Sequence, residues 1–159
     1  MINFDSRGYL KPYEPISSNV KELKKYFVDE FDSEIRLAHF HNYTRYSNDL
    51  KKLLGGIPLR QWINGSFVSK KTNPKDIDFV TFVDHTLIKK LNRKLDSYKA
   101  DGSWEEYGVD AYIIEVYSEN NPHQKFTEFD MREWQELFCM TRRNRAGQRF
   151  NKGFLEIIY

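Results

Sequence analysis

The sequence predicts an α/β or α+β domain in which helices pack against a β-sheet. Three observations predict it: a length of 159 residues, two helical stretches followed by strands that alternate with helices, and strands rich in β-branched and aromatic residues. A chain of this length forms one hydrophobic core, and no repeat or Pro-, Gly- or Ser-rich linker divides it. We therefore expect a single domain over residues 1–159.

The first third of the chain is predicted to contain an extended arm and two helices. Residues 1–19 are expected to be extended, since they carry two prolines and a Ser-Ser pair. Asn19 and Glu22 match a capping box for a helix that ends near Phe31. A longer helix is predicted at 33–54, and Gly55-Gly56 is expected to end it. The residues expected to lie mostly on its inward face are Ile35, Leu37, Tyr43, Leu50, Leu53 and Leu54.

Strands and helices alternate in the rest of the chain. Short strands are predicted at 57–63 and 76–83, followed by a helix that Asp84 caps and that runs to about Tyr98. A turn-rich loop is expected at 101–108, before a well-marked strand at 109–117. A last helix is predicted at about 128–141. Residues 154–159 are interpreted as either a final strand or a docked tail.

Composition excludes several classes of protein. Hydrophobic residues make up 40% and charged residues 30%, which is typical of a folded globular chain. No apolar run approaches the ~20 residues that a membrane helix needs, so no membrane partner is expected. The first ten residues lack a secretion signal, and Cys139 is the single cysteine, so a cytoplasmic protein without disulfides is predicted. A net charge of +2 does not by itself indicate nucleic-acid binding.

The motif Asp76-Ile77-Asp78 is a candidate metal site. Residues two apart in a strand project to the same face, roughly 6.5–7 Å apart along the chain, so the two carboxylates would lie side by side. Such like charges repel unless a cation or a shared proton compensates them. Carboxylate oxygens suit Mg²⁺, which completes its shell with water and substrate phosphate. The same motif is also common at strand ends that bind no metal.

The pair Gly65-Ser66 precedes this motif and is a candidate phosphate-binding loop. Gly65 lets the backbone approach a ligand closely, and Ser66 offers a hydroxyl and an N–H to phosphate oxygens. The alternative is a strand-ending turn, since Asn64-Gly65 is a favoured hairpin pair. A polar segment with three lysines follows instead of an immediate strand, which weakens that alternative.

A third carboxylate is available at the start of the strand 109–117. If this strand lies beside the Asp-Ile-Asp strand, Asp110 faces the same site as Asp76 and Asp78. Glu115 is a rival acid, but alternation places it on the opposite face from Asp110. Three carboxylates on neighbouring strand ends can bind two divalent ions about 3.5–4 Å apart, as in in-line phosphoryl transfer.

Two basic segments border these motifs in the sequence. Lys70, Lys71 and Lys75 directly precede the acids. The C-terminal segment 139–159 contains no acid before Glu156 and carries the cations Arg142, Arg143, Arg145, Arg149 and Lys152. Such blocks are more often solvated loops than sites, but both would suit an anionic substrate if they flank the acids.

In these motifs the chain resembles the nucleotidyltransferase superfamily of DNA polymerase beta, in its minimal form. The resemblance rests on Gly65-Ser66, Asp76-x-Asp78 and a later strand aspartate, and covers roughly residues 57–117. The chain is also similar to small standalone bacterial nucleotidyltransferase-like proteins, through Gly8-Tyr9-Leu10, the segment 62–80 and Lys152-Gly153. The resemblance implies a mixed β-sheet flanked by helices.

The resemblance also assigns roles to individual residues. It implies that Gly65 and Ser66 bind the triphosphate, that Asp76 and Asp78 bind both metals, and that Asp110 binds the second metal and the attacking hydroxyl. The cofactor would be Mg²⁺ or Mn²⁺. The basic residues that we expect to join the nucleotide site are Lys75, Arg142, Arg145 and Lys152.

The function that follows is a metal-dependent nucleotidyltransferase that moves a nucleoside monophosphate from an NTP to a protein or RNA hydroxyl. Small members of the superfamily often belong to toxin–antitoxin or phage-defence pairs, so the resemblance implies a protein partner (toxin or antitoxin) or a tRNA acceptor. Larger members add a helical domain, and none is evident after Tyr117. The alternative is a non-catalytic module with the same fold that acts as an antitoxin-like partner or an RNA binder.

Overall fold

A computed structural model describes residues 2–159 and contains a five-stranded mixed sheet with helices on both faces. The predicted α/β (α+β) class is confirmed. The strands are β1 (Asn3–Phe4), β2 (Leu10–Lys11), β3 (Pro15–Ser18), β4 (Arg60–Asn64), β5 (Asp78–Asp84), β6 (Asp110–Val116) and β7 (Phe154–Ile158). The helices are α1 (Val20–Lys24), α2 (Glu34–Leu53), α3 (His85–Leu91), α4 (Ala100–Tyr107) and α5 (Gln124–Phe138).

The main sheet has the strand order β3-β7-β4-β5-β6. The central strand β4 is antiparallel to both neighbours, β7 and β5. The outer pairs β5–β6 and β3–β7 are parallel. As a result β4 ends at the edge of the sheet where β5 and β6 begin, and the loops at that edge form the candidate site.

The two faces of the sheet bury different apolar groups. One face packs under α2 and the α1 region, through buried residues that include Leu23, Phe27, Tyr43, Leu50, Ile63, Phe79, Val83 and Ala111. The opposite face packs under the C-terminal end of α5, with a core formed by Trp62, Val80, Phe82, Ile114, Phe138 and Phe154. Because alternate residues of β5 enter different cores, both sides of this strand are apolar, as its composition predicts.

The N-terminal segment is more closely integrated into the fold than predicted. The extended backbone expected for 1–19 is observed as three short strands, but these strands are paired instead of forming a separate arm; Met1 lies outside the described residues. β1 and β2 form an antiparallel pair, and β3 is an edge strand of the main sheet, parallel to β7. An isolated segment gives no sign of such pairing, because the partner of β3 lies at the other end of the chain.

The two helices of this region begin where the sequence predicts. The Asn19 side chain accepts a hydrogen bond from the Glu22 N–H at 3.0 Å, and α1 continues as a π-helical turn over Lys25–Asp29. The Ser33 side chain accepts from the Arg36 N–H at 3.3 Å and caps α2. The predicted inward face of α2 is wrong at Ile35, which is 45% exposed, whereas Arg36 is fully buried.

The later elements confirm the predicted order with changes at their ends. β4 begins at Arg60 and β5 at Asp78, so Asp76 lies just before the strand rather than on it. Asp84 caps α3 as predicted, but α3 ends at Leu91 and a 3₁₀ segment continues to Tyr98. The predicted loop 101–108 is wrong, because these residues form most of α4.

The C-terminal elements also shift. The predicted helix 128–141 is observed as α5, which begins at Gln124 and ends at Phe138. Of the two interpretations of 154–159, the strand is confirmed, since β7 is hydrogen-bonded on both sides within the sheet. Within residues 2–159, none of the helices combines the length and the apolar character needed to cross a membrane.

Candidate active site

A cavity of about 820 Å³ lies at the sheet edge where β4 ends and β5 and β6 begin. Its floor contains the three predicted acids, Asp76, Asp78 and Asp110, together with Gly65 and Ser66. The N-terminal hairpin contributes Arg7 and Tyr9, and the segment after α5 contributes residues from Met140 to Lys152. Parts of the chain that are distant in sequence therefore converge on the predicted motifs.

The acids lie close together because of the strand register. Asp78 is the Cα partner of Asp110 on β6 and of Asn64 on β4. Cross-strand partners project to the same face, with strands about 4.8 Å apart, so Asn64, Asp78 and Asp110 form a row across the sheet edge. Asp76 lies two residues before Asp78 and lines the same cavity. Glu115 does not line this cavity; it lies further along β6.

The charge state of Asp78 reflects this crowding. Burial, followed by the negative charges of Asp76 and Asp110, raises the pKa of Asp78 from 3.8 to about 6. Arg142 and Lys152 act in the opposite direction but do not cancel the effect. The Arg142 guanidinium lies 3.8 Å from Asp78 Oδ1, yet its side chain is 90% exposed, so this ion pair is weak.

Gly65 is required at its position by both backbone and packing. Its φ is +78°, which favours glycine. A Cβ on this residue would lie 1.7 Å from Asp78 Oδ2, so the Asp78 carboxylate rests directly against the Gly65 backbone. Gly65 directly follows β4 and begins a turn. The next strand begins only at Asp78, so Asn64-Gly65 is not the turn of a two-residue hairpin loop.

Arg36 holds the loop between Gly65 and Asp76 in place through hydrogen bonds to its backbone carbonyls. The fully buried guanidinium donates to the carbonyls of Phe27 and Phe67 at 2.7 Å each, Ser69 at 2.9 Å and Thr72 at 3.1 Å, and also to that of Lys71. No carboxylate pairs with it among the described residues. Instead its face lies 3.9 Å from the centre of the Phe31 ring.

Other contacts from α2 fix the rest of this loop. The Ser33 hydroxyl donates to Asn73 Oδ1 at 3.0 Å, and His39 Nε2 lies 3.2 Å from the Pro74 carbonyl. Within the loop, the Ser69 hydroxyl donates to the Ser66 carbonyl at 2.7 Å. The position of Ser66 relative to the acids is therefore set by the start of α2. Arg36 was missed because a cation among inward-facing positions breaks the apolar pattern of the helix.

Cationic residues outnumber acids around the cavity. The structure brings the predicted Lys75, Arg142 and Lys152 to it, but Arg145 is not among the lining residues. The full cationic set is Arg7, Lys70, Lys71, Lys75, Arg142, Arg149 and Lys152. Arg7 could not be predicted as part of the site, because nothing in an isolated N-terminal segment indicates that it folds over the acids.

Lys152 is the most buried of these cations. Burial is the main effect that lowers its pKa to about 8, while Asp78 raises the pKa and Arg142 lowers it further. Its backbone N–H donates to the Cys139 carbonyl at 2.9 Å, and the next residue, Gly153, donates to the Leu10 carbonyl at 2.7 Å. These bonds fix the lysine beside the acids.

The donor set fits a hard divalent cation, although it is not a complete protein cage. Among residues 2–159 no group of three or more His, Cys, Asp or Glu side chains is arranged to hold a metal ion. Mg²⁺ commonly takes only one or two carboxylates and completes its shell with water and substrate phosphate. The crowded Asp78 carboxylate and its neighbours supply oxygen ligands and a charge that a cation would offset.

A second, smaller depression adjoins the main cavity. It has a volume of about 220 Å³ and shares Lys75, Asp76, Asp110 and Tyr112 with the larger one. Its outer wall comes from α4, where Trp104 is 50% exposed and Asp101 lies beside the opening. The acids therefore lie between a large basic cavity and a small aromatic groove.

Fold and site together define an α+β protein with an acidic row at the sheet edge, enclosed by a cationic cavity. The chain belongs to a family of unknown function, DUF6932, whose sequence profile matches residues 2–158. Comparison with curated proteins gave no match. Comparison with solved structures also gave none.

The raised pKa of Asp78 predicts a stability effect that depends on pH. An acid with a raised pKa in the folded state contributes stability below its unfolded pKa, which is lost as pH rises through about 6. At pH 7.5 without divalent cations, Asp78→Asn should therefore stabilise the protein by on the order of 2–3 kcal/mol. The gain should shrink towards zero near pH 4. Urea unfolding at both pH values measures it, with the exposed Asp32→Asn as control; an equal effect at both pH values would contradict the prediction.

Arg36 gives a second prediction. Arg36→Met leaves five carbonyls without their donor and should destabilise the protein by about 3 kcal/mol or more, since a buried unsatisfied polar group costs about 1–3 kcal/mol. Urea unfolding measures the loss, and hydrogen exchange should show reduced protection over residues 66–75. Arg45→Met is the matched control, because Arg45 is exposed on the same helix and donates to one carbonyl, that of Glu106. Equal losses of unfolding free energy in the two variants would show that the five carbonyl contacts of Arg36 stabilise the protein no more than the single contact of Arg45.

Proposed function

We propose that the protein is a metal-dependent nucleotidyltransferase, which moves a nucleoside monophosphate from an NTP to a hydroxyl group and releases pyrophosphate. The observation that carries the proposal is the convergence of Gly65-Ser66 and the acids Asp76, Asp78 and Asp110 on one cation-rich cavity. The resemblance to minimal nucleotidyltransferases rests on the same residues.

The charge distribution supports a triphosphate as the ligand. Seven cationic residues line the cavity against three aspartates, so an anion is attracted even while the acids are ionised. Lys152 remains largely protonated at neutral pH, because its pKa is about 8. The Ser66 hydroxyl and the turn after Gly65 provide further donors for phosphate oxygens. A volume of about 820 Å³ is also in the range of nucleotide-sized pockets.

The proposed reaction is an in-line displacement. The acceptor oxygen forms a bond to the α-phosphorus, the bond from that phosphorus to the bridging oxygen breaks, and pyrophosphate leaves with the electron pair. The acceptor proton passes to the Asp110 carboxylate. A divalent cation, when bound, would lower the pKa of the acceptor hydroxyl and offset the developing negative charge. Lys152 and Arg142 would stabilise charge on the leaving group.

The acceptor is proposed to approach through the Trp104 groove. Most of the cationic residues line the large cavity, whereas Lys75 is the single cation among the residues that line the groove. The groove also presents the exposed indole of Trp104. The groove meets the cavity at Asp76 and Asp110, where the hydroxyl must react. A protein Tyr, Ser or Thr and an RNA 3′ end both remain candidate acceptors. A cytoplasmic toxin–antitoxin or phage-defence pair is the proposed setting.

A second candidate is a non-catalytic module with the same fold. It is supported by the cation-rich lining of the cavity, where seven Lys and Arg side chains surround three aspartates. In this case the cationic cavity would bind an anionic partner or RNA without turnover.

Transfer assays separate the two functions. The protein is incubated with each α-labelled NTP, Mg²⁺ or Mn²⁺, and either tRNA or candidate protein acceptors. Label should move to an acceptor, and Asp110→Asn should reduce transfer at least 100-fold while NTP affinity stays within a few-fold, because its carboxylate acts mainly in the transition state. Glu115→Gln is the control and should retain activity. Failure of transfer with every NTP and acceptor would favour the non-catalytic module.

Trp104 tests the placement of the acceptor. Trp104→Ala should raise the KM for the acceptor by about ten-fold, because stacking on an aromatic residue contributes about 1–3 kcal/mol. NTP affinity, measured by calorimetry with a non-hydrolysable analogue, should not change. Phe126→Ala, which removes an exposed aromatic side chain of α5 outside both cavities, is the control. Weaker NTP binding in Trp104→Ala would place the nucleobase, not the acceptor, in the groove.

A further inference from the structure

Asn64 has an unsatisfied amide oxygen at the centre of the candidate site. The residue is 7% exposed, and within the described part of the chain its Oδ1 is buried without a hydrogen-bond partner. A buried polar atom in this state costs about 1–3 kcal/mol. Such atoms are rare in folded proteins and call for a ligand, a water molecule or a functional reason.

The surroundings of Asn64 narrow the choice of partner. Asn64 is the cross-strand partner of Asp78, which is in turn the partner of Asp110, so the amide stands at one end of a row of carboxylates. Ionised carboxylates accept hydrogen bonds and cannot donate to the amide oxygen. The row thus offers three oxygen-bearing side chains on one face and no donor of its own. A divalent cation can accept all three oxygens as ligands at once.

We propose that Asn64 supplies a neutral oxygen ligand to a divalent cation held by Asp78 and Asp110. The inference rests on the metal dependence proposed above, and it adds a ligand that the three-aspartate motif does not include. Amide carbonyl oxygens are ordinary ligands of hard cations, alongside carboxylates and water. With Asn64, the strand ends β4, β5 and β6 contribute one oxygen-bearing side chain each.

A neutral ligand has a physical advantage at this position. A carboxylate in place of Asn64 would put a further negative charge beside Asp78, whose pKa is already raised by burial and then by its acidic neighbours. An amide adds an oxygen without adding repulsion, so the cation-free protein is less strained. The ligand role also explains why a polar side chain is buried next to Gly65, at a position where an apolar side chain could pack.

The test uses two substitutions of similar shape. Asn64→Leu removes the oxygen, and Asn64→Asp keeps it and adds a charge. Calorimetric titration with Mn²⁺ alone, without nucleotide, should give about ten-fold weaker binding for Asn64→Leu and binding at least as tight as the unaltered protein for Asn64→Asp. In EDTA, urea unfolding should show Asn64→Leu as stable as the unaltered protein or more so, and Asn64→Asp less stable.

The opposite pattern overturns the inference. Unchanged Mn²⁺ affinity in Asn64→Leu, with lower stability in EDTA, would make Asn64 a structural residue that a water molecule satisfies. At least ten-fold weaker Mn²⁺ binding by Asn64→Asp would also overturn the inference. If Asn64→Leu does not fold, the Mn²⁺ affinity of Asn64→Asp is the deciding measurement. Absence of Mn²⁺ binding in the unaltered protein would remove both this ligand and the metal requirement. If the two variants show the expected Mn²⁺ affinities but the protein transfers no nucleotide, Asn64 is retained as a metal ligand and the nucleotidyltransferase proposal is rejected.

Discussion

The cage of carbonyl groups around Arg36 is the constraint on which the candidate site depends. One fully buried side chain of α2 donates to five backbone carbonyls, four of them in the segment from Phe67 to Thr72. That segment joins Gly65-Ser66 to the acids and has no regular secondary structure of its own. Without the guanidinium its carbonyls would face an apolar core, and the two motifs would not be held at a fixed separation. The geometry of the site is therefore determined by a helix that contributes no side chain to it.

Arg36 has backbone carbonyls rather than a carboxylate as its hydrogen-bond partners among the described residues, for a physical reason. Burial lowers the pKa of Arg36 to about 10, so the guanidinium stays charged at neutral pH, with backbone carbonyls and the face of the Phe31 ring as its partners. A carboxylate there would neutralise the cage and compete with the carbonyls for its donors. The acids are instead concentrated in the row at the sheet edge, where burial and then their mutual repulsion raise the pKa of Asp78. A cation bound at this row would lower that repulsion.

The parts of the site that follow from local spacing could be predicted from the sequence, and the parts that depend on distant pairing could not. The alternation along β6 indicated the face of Asp110, and the register of Asp78 with Asp110 agrees with it. Asp76 precedes β5, so its place in the cavity does not follow from strand alternation. The placement of Arg7 and the strand β3 depends on chain ends that meet only in the fold. Helix α4 was read as a loop because Gly102 and Gly108 weaken its pattern. Asn64 was read only as a turn residue, since its unsatisfied oxygen is visible only once the neighbouring atoms are known.

The two ends of the chain close the cavity jointly, and neither end could do so alone. Gly153 donates to the Leu10 carbonyl, and Lys70 of the loop donates to the Gly8 carbonyl at 2.9 Å. Arg7 lies 4.4 Å from the centre of the Phe150 ring, which also stacks on Tyr9. These contacts join the N-terminal hairpin, the loop before the acids and the segment after α5. Cationic residues from three distant parts of the chain therefore line one cavity beside the acidic row.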